Sequence, residues 1–209
     1  MARPVNANAD ETRGRILQAA LELFARHGYE GASVRQIAAA AGVSLGMIRH
    51  YYGSKDGLYD ACLDGAYAIY GELGAKVRDS VGAGGDPAET LADAVREGFR
   101  HARRHVWACR LLLWDMMHRE RWRHERNDEH MVPFILEVAR TLAGPLNRPV
   151  GDIALVTRSV VFLVVRYATA DADELALLLA DGDPRAVGDE RTFEQVEEHL
   201  ARLALTLYR

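Results

Sequence analysis

The residues with the most distinctive chemistry lie between Ser33 and Lys55 of this 209-residue chain. This stretch holds the cations Arg35, Arg49 and Lys55, together with several hydroxyl groups and a histidine. A guanidinium can bond two acceptors of a guanine at once, and lysines, hydroxyls and helix N-termini are common partners of phosphate. These residue types predict contact with a nucleic acid.

Two short helices joined by a tight turn must present these side chains. Ser33 opens the first helix with the spacing of a capping box, Gly42 ends that helix, and Ser44 opens the second. The second helix turns Ile48 and Tyr52, four residues apart, towards the interior, so most of its surface faces outward. A helix that buries so little of itself is suited to entering the major groove of DNA.

The segment from residue 16 to about residue 60 resembles the DNA-binding domain of TetR-family transcriptional regulators. ILQAALELFARHGYEGASVRQIAAAAGVS matches the first two helices of that domain, and LGMIRHYYGSKDGLY matches its third helix and the start of a fourth. One departure is Arg49, where the family commonly has tyrosine. The resemblance implies an all-α fold, with an N-terminal three-helix helix-turn-helix domain (residues 1–55) and a C-terminal helical domain for effector binding and dimerisation (residues 56–209).

Residue types and resemblance together predict ten DNA-contacting residues. Arg35 is predicted to read a base, Gly46 to permit close approach of the helix, and Met47 to contact a thymine methyl. Arg49 and His50 fit either a base or a phosphate, and for His50 a plain exposed residue is the alternative. The predicted set is Ser33, Arg35, Ser44, Leu45, Gly46, Met47, Arg49, His50, Tyr51 and Lys55.

Composition is consistent with a reduced, cytoplasmic protein that touches DNA at one end. The net charge is −4, but residues 1–57 carry seven Lys/Arg against five Asp/Glu, whereas the remainder carries nineteen against twenty-five. Cys62 and Cys109 are the two cysteines and do not indicate a disulfide framework. The longest apolar run, VVFLVV at 160–165, is too short to span a bilayer. We expect no membrane association.

Helical periodicity continues through the rest of the chain. Residues 1–9 are predicted to be a polar arm, and the Gly-rich break at 81–87 separates a long fourth helix from a fifth that Asp86 caps. A seventh helix is predicted over about residues 128–143, entered through Pro133 and ended by Gly144 and Pro145, and Thr192 is predicted to cap the last helix. No stretch indicates a sheet.

Two later helices have apolar residues at steps of three and four, which favours a four-helix bundle formed by this pair and its symmetry mate. An ordinary intrachain core is the alternative, and the resemblance favours the dimer. A twofold dimer places two recognition helices on a palindromic operator, with half-sites about 34–36 Å apart or at another spacing set by the body. The predicted dimer interface is Val156, Val160, Leu163, Tyr167, Val196, Leu200, Leu203 and Leu207.

The resemblance also implies a small-molecule effector among the later helices. Large or soft side chains on these helices could line its site, although such stripes are more often core. Arg166 ends an apolar run and could meet an acidic ligand, pair with a carboxylate across the dimer, or extend to solvent. The predicted ligand-binding set is Trp107, Trp114, Met117, Phe134, Phe162, Arg166 and Tyr167.

The sequence offers no cofactor or metal site. His118, His124 and His130 are spaced by six, which does not place them on one helix face, and interspersed acids suggest a solvated surface. An enzyme is the rival class, but the chain has no phosphate-binding glycine loop, nucleophile elbow or metal-ligand cluster. The interpretation is a homodimeric, effector-responsive DNA-binding repressor, with an effector-independent architectural protein as the alternative.

Overall fold

The protein is described from a computed structural model, which covers residues 5–83, 86–117, 125–180, 183 and 189–208. All regular structure in these residues is α-helical, which confirms the predicted fold class. The helices are α1 (Val5–Gly31), α2 (Val34–Ala41), α3 (Leu45–Tyr52), α4 (Lys55–Gly82), α5 (Pro87–Arg104), α6 (Val106–Met117), α7 (Glu125–Leu146), α8 (Val150–Ala168), α9 (Ala172–Leu179) and α10 (Asp189–Tyr208).

The chain forms two compact units. We call Met1–Ala68 with Trp107–Arg123 the head unit, and Ile69–Val106 with His124–Arg209 the body unit. The head unit contains α1 to α3, the first half of α4 and nearly all of α6. The body unit contains the rest of α4 together with α5 and α7 to α10.

The head unit is built on the apolar face of α1. Ile16, Ala20 and Phe24 recur at steps of four and are completely buried, so one stripe of α1 forms the centre of the core. The shorter helices each add buried side chains to it, namely Ile37 from α2, Ile48 from α3, and Leu58, Tyr59 and Leu63 from α4.

Helix α6 contacts the C-terminal end of α1 within the head unit. Gly28 has φ 69° and ψ 175°, so the α1 backbone leaves the helical region there. A Cβ atom on Gly28 would overlap the indole ring of Trp114. On the same side, the Arg26 guanidinium lies 4.7 Å from the ring centroid of Trp107. Glycine is therefore required at position 28 both by its backbone conformation and by the close approach of α6.

In the body unit, α5 packs against α8 and α10. Two ion pairs join α5 to α10: Arg96 to Glu198 at 2.8 Å and Arg100 to Glu197 at 2.6 Å. Because one partner of each pair, Glu198 or Arg100, is about half exposed, each pair adds only a modest amount to the stability. Deeper in the unit, the hydroxyls of Thr157 and Tyr208 share a buried 2.7 Å hydrogen bond that joins α8 to α10.

Several predicted helix boundaries are wrong. Residues 5–9 belong to α1 instead of an arm. Helix α7 runs from Glu125 to Leu146, so it continues through Pro145, which was predicted to end it, as well as through Pro133. Proline has a helical φ but removes a backbone hydrogen bond and crowds the preceding turn, and both prolines are at exposed positions. Thr192 is not a cap: α10 begins at Asp189, and Thr192 is fully buried. Helix α9 was not predicted, although Asp171 caps it by accepting from the amide of Asp173.

Taken singly, none of the described helices combines the length and hydropathy of a bilayer-spanning segment. Helices α8 and α9 pass the same test only as a pair bent by 104° at the break between them. The α8 face towards α5, α7 and α10 is buried in the body unit.

His101 of α5 is a buried titratable group of the body unit. Its Nε2 atom has no hydrogen-bond partner among the described residues. Burial is the main cause that lowers the pKa of His101 from the usual 6.5. The nearby positive groups of His105, Arg104 and Lys76 lower the pKa further, whereas Glu72 raises it. Folded protein therefore holds His101 neutral at pH values where the unfolded chain protonates it.

Replacing Gly28 with alanine should destabilise the protein by more than about 1–3 kcal/mol, because the new methyl group adds steric overlap with Trp114 to backbone strain. Urea unfolding followed by circular dichroism measures the change. Gly14→Ala is the matched control, since nothing lies within 4 Å of a Cβ there, and it should be neutral or stabilise by about 0.5–1 kcal/mol. Equal stability of Gly28→Ala and the natural protein would contradict the described packing.

The free energy of unfolding should decrease as pH falls through about 6.5, because the unfolded chain then binds a proton that folded His101 resists. His101→Leu should lose less stability than the natural protein when urea unfolding is compared at about pH 7.5 and about pH 5.5. His199→Gln, which changes an exposed histidine of the same unit, should follow the natural protein. Identical pH profiles for all three proteins would exclude a role for His101.

Candidate nucleic-acid interface

Helices α2 and α3 are fixed at their ends by local hydrogen bonds. Ser33 Oγ accepts from the amide of Gln36 at 3.2 Å, and the Gln36 side chain accepts from the amide of Ser33 at 2.9 Å, which completes the predicted capping box. Gly42 closes α2 with φ 64°, and its amide donates back into the helix. Ser44 Oγ then accepts from the amide of Met47. The turn between the two helices is therefore determined by residues within it.

The inner side of α3 is held by two side chains. Ile48 is almost completely buried. The Tyr52 hydroxyl donates to the carbonyl oxygen of Arg13 at 3.2 Å and so ties the end of α3 to α1. Burial raises the pKa of Tyr52, so the hydroxyl stays protonated and able to donate. Both inward positions of the sequence prediction are confirmed.

The outer side of α3 borders a cleft of about 500 Å³. Three cations line it: Arg35 from the first turn of α2, Arg49 from α3, and Lys55 at the start of α4. None of the residues described as lining it is acidic. An anion in this cleft would meet three positive side chains and the N-terminal ends of α2 and α4, which favours phosphate.

Six of the ten predicted DNA-contacting residues line this cleft: Ser33, Arg35, Leu45, Gly46, Arg49 and Lys55. Leu45 is 45% exposed beside the cleft. Four further lining residues were not predicted to contact DNA: Val34, Ile48, Gly53 and Ser54. For Ser54, the sequence did offer a signal, because it occupies the cap position of α4 and its Oγ accepts from the amide of Gly57.

The other four predicted residues are not among the lining residues of this cleft. Ser44 is the α3 cap and Met47 is half-buried in the same helix. His50 is exposed and its ring lies 5.1 Å from that of Tyr51, centroid to centroid. The Arg13 guanidinium lies 5.3 Å from the Tyr51 ring, which adds a cation near the C-terminal end of α3. The DNA-contact roles of all ten residues stay predictions.

Part of the predicted dimer interface is buried in its own subunit. Val160, Val196 and Leu200 are each less than 10% exposed, so they have little surface left for a partner. Val156, Leu163, Tyr167 and Leu203 are half-buried, and Leu207 is 37% exposed. The error has a physical cause: α8 and α10 are apolar on more than one side, and periodicity does not distinguish the inner side from the outer one.

The most exposed apolar residues of α8 are Leu155 at 69% and Phe162 at 50%. They are seven residues apart, which places them on one face of the helix. Phe162 was predicted to line a ligand site, but it lies on this exposed face and is not among the lining residues of the two clefts described here, so its ligand role stays a prediction. An exposed apolar face of this kind is typical of a protein interface.

The predicted ligand-binding residues do not share one described environment. Trp107 and Trp114 belong to the head unit, where they contact Arg26 and Gly28, and Met117 of the same unit is 81% exposed. The predicted residues of the body unit also lie in different environments. Phe134 is buried in the core, whereas Arg166 is exposed and pairs with Glu174 at 3.4 Å. Arg166 therefore extends to solvent, as in the third predicted alternative, and its carboxylate partner belongs to its own chain and not to a dimer mate.

Only Tyr167 of that set lines a groove of about 460 Å³ in the body unit. Leucines of α9 form its apolar part, and Glu198, His199 and Arg202 of α10 form its polar part. No group of three or more metal-ligating side chains occurs among the described residues, and His118 and His124 lie outside them. Neither Cys62 nor Cys109 is in a disulfide, and burial raises the pKa of both thiols to about 12, which makes them unreactive at neutral pH.

Comparison with known proteins was made on the sequence and on the fold. Residues 16–62 match the family described as "Bacterial regulatory proteins, tetR family". The chain is 32% identical over 110 residues to the HTH-type transcriptional repressor NicS of Pseudomonas putida, a match covering 53% of this chain and 50% of that one. It is 32% identical over 132 residues to the HTH-type transcriptional repressor AcnR of Corynebacterium diphtheriae, which covers 59% and 63%. The matches thus span about half to three-fifths of these relatives.

The fold resembles solved structures over nearly the whole chain. A TetR-like transcriptional regulator from Rhodococcus sp. RHA1 superposes with a TM-score of 0.62 and covers 99% of this chain and 98% of its own. The sequence identity is 21%, so this likeness establishes the fold alone.

Proposed function

We propose that the chain is a cytoplasmic repressor of the TetR family, whose family model its residues 16–62 match, and that it binds a palindromic operator as a homodimer and responds to a small-molecule effector. The family consists of regulators of transcription and not of enzymes. In this proposal, residues 1–55 supply the DNA contact, and residues 56–209 supply dimerisation and the effector site.

The observation that carries the proposal is the cleft beside α3. Arg35, Arg49 and Lys55 converge there without an acidic neighbour in the lining, although the whole chain is acidic. Such a local excess of positive charge attracts the DNA backbone. The exposed face of α3 then meets base edges in the major groove, with Arg35 close enough to share the same cleft.

Dimerisation is proposed because one head reads too few base pairs for selective binding. Phosphate contacts from a single small head give weak and salt-sensitive affinity. The exposed Leu155 and Phe162 on α8, with Leu207 on α10, support an interface between two copies. A twofold interface of this kind also matches the symmetry of a palindrome.

The effector response is supported by the groove at Tyr167. Its volume of about 460 Å³ lies within the range of about 300–1,000 Å³ that is typical of small-molecule sites. Apolar leucines beside His199 and Arg202 suit a partly apolar molecule with a polar group. An effector would act by binding one of two DNA-affinity states more tightly than the other.

The test of this function is selection of bound fragments from the source genome by the purified protein. Enrichment of one inverted-repeat sequence supports the proposal. A metabolite that changes the affinity for that sequence supports an effector-responsive regulator, and if no metabolite does so the architectural alternative is favoured. Recovery of random fragments alone would contradict sequence-specific regulation.

Arg35→Ala should weaken binding to the selected sequence by about 1–3 kcal/mol and relax the preference at one base position, because a bidentate base contact is lost. Gel-shift titration at fixed salt against single-base variants measures both effects. Arg140→Ala, an exposed arginine of the body unit, controls for the change in net charge and should leave binding unchanged. Unchanged base preference in Arg35→Ala would show that Arg35 does not read a base.

Phe162→Glu combined with Leu155→Glu should convert the dimer to a monomer, because two charges per subunit would be buried in the apolar interface. Light scattering measures the mass, and circular dichroism confirms that each subunit stays folded. Met117→Glu replaces an apolar residue of similar exposure in the head unit and should leave the mass unchanged. A double variant that remains dimeric would place the interface elsewhere.

A further inference from the structure

Lys55 rests on an aromatic ring in the free protein. It is the first residue of α4, and its ammonium nitrogen lies 4.3 Å from the ring centroid of Tyr29. Tyr29 belongs to the last turn of α1, twenty-six positions earlier in the chain. A cation over an aromatic face at this distance is attracted by about 0.5–1 kcal/mol at an exposed site. The contact restricts a flexible side chain that would otherwise sample many rotamers.

The ring of Tyr29 is itself held by buried neighbours. It stacks on Phe24 with centroids 6.0 Å apart and planes 13° apart, and it meets the edge of Tyr59 at 5.1 Å. Phe24 and Tyr59 are almost completely buried in the head unit. The surface on which Lys55 rests is therefore fixed by the core of the unit.

The hydroxyl of Tyr29 has a second role. It donates a hydrogen bond to Oδ1 of Asp56, the residue that follows Lys55. This bond engages the carboxylate nearest to Lys55 in sequence, and no described carboxylate forms an ion pair with Lys55. An ammonium that is not paired with a carboxylate attracts an incoming anion more strongly than a paired one.

From these contacts we propose that Tyr29 is a positioning residue for Lys55. Its ring face holds the ammonium at the rim of the α3 cleft, and its hydroxyl keeps Asp56 away from that ammonium, so that Lys55 is oriented and unpaired when a DNA phosphate arrives. The inference rests on the proposed DNA-binding function and adds to it a residue outside the cleft that sets phosphate affinity.

This role differs from ordinary core packing in its dependence on Lys55. If Tyr29 only stabilises the fold, its loss weakens DNA binding equally whether or not Lys55 is present. If Tyr29 orients Lys55, its loss has no further effect on DNA binding once Lys55 is gone. A double-mutant cycle separates the two cases.

The cycle uses the natural protein, Tyr29→Leu, Lys55→Met and the double variant. Each is titrated at several salt concentrations against the selected operator and against a random-sequence duplex, and its melting temperature is recorded. Tyr29→Leu should weaken binding to both duplexes by about two- to fivefold, the equivalent of one exposed cation–π contact. In the Lys55→Met background the same change should alter affinity by less than about twofold.

The salt dependence gives an independent readout. Lys55→Met should reduce the slope of log affinity against log salt by about 0.9, the value for one lost phosphate contact on duplex DNA, and Tyr29→Leu should shift the slope in the same direction. Ile16→Val is the control, because it removes a buried methyl group from the core of the head unit while leaving Tyr29 and its ring neighbours Phe24 and Tyr59 in place. It should lower the melting temperature and act equally in both backgrounds.

The hydroxyl is tested by Tyr29→Phe, which keeps the ring but releases Asp56. Affinity should fall, and adding Asp56→Asn should restore it, since the competing carboxylate is then removed. Equal effects of Tyr29→Leu with and without Lys55 would overturn the proposal, as would failure of Asp56→Asn to rescue. Failure of the proposed function is distinguishable, because the natural protein itself would then bind neither duplex.

Discussion

An eight-residue helix cannot maintain itself in water, because it forms too few hydrogen bonds to offset the entropy of its nucleus. Helix α3 therefore depends on the contacts that hold its inner side, the burial of Ile48 and the hydrogen bond from Tyr52 to Arg13. Ser44 at its start completes the support. With the inner side fixed in this way, the remaining residues of α3 are exposed, except for Met47 and Tyr51, which are half-buried.

Charge pairing explains how an acidic chain can have a DNA-binding surface. In the described part of the body unit, arginines such as Arg96 and Arg100 bond to glutamates, and these partners raise the pKa of both guanidinium groups. The cations of the α3 cleft instead have no acidic residue in the lining. The feature that indicates DNA binding is therefore the lack of acidic residues in the lining of the α3 cleft, and the net charge of the whole chain does not reveal it.

The parts of the fold that could be predicted from sequence are those with short-range causes. The Ser33 capping box, the Gly42 turn and the inward position of Ile48 depend on neighbours within a few residues, and the structure has all three. Most of the cleft was predicted for the same reason. The all-helical fold was predicted from the family resemblance, and the structure confirms it.

The remaining features depend on long-range packing, which periodicity does not encode. Val196 and Leu200 fit a dimer face and a core face equally well, and only the position of α5 shows that they are core. The assignment of Trp114 to the head unit depends on its contact with Gly28, eighty-six positions earlier in the chain. Tyr29 was recognised only as a family match, because its contact with Lys55 forms when α1 and α4 pack together.

The central claim is that α3 enters the major groove twice on the same face of a duplex. Methylation protection of guanine N7 on the selected operator measures this directly, because that atom lies in the major groove. The account predicts two symmetric protected guanine clusters, about 34–36 Å or a multiple of that distance apart, one for each subunit. Protection of a single cluster, or of no guanine in a bound duplex, would contradict it.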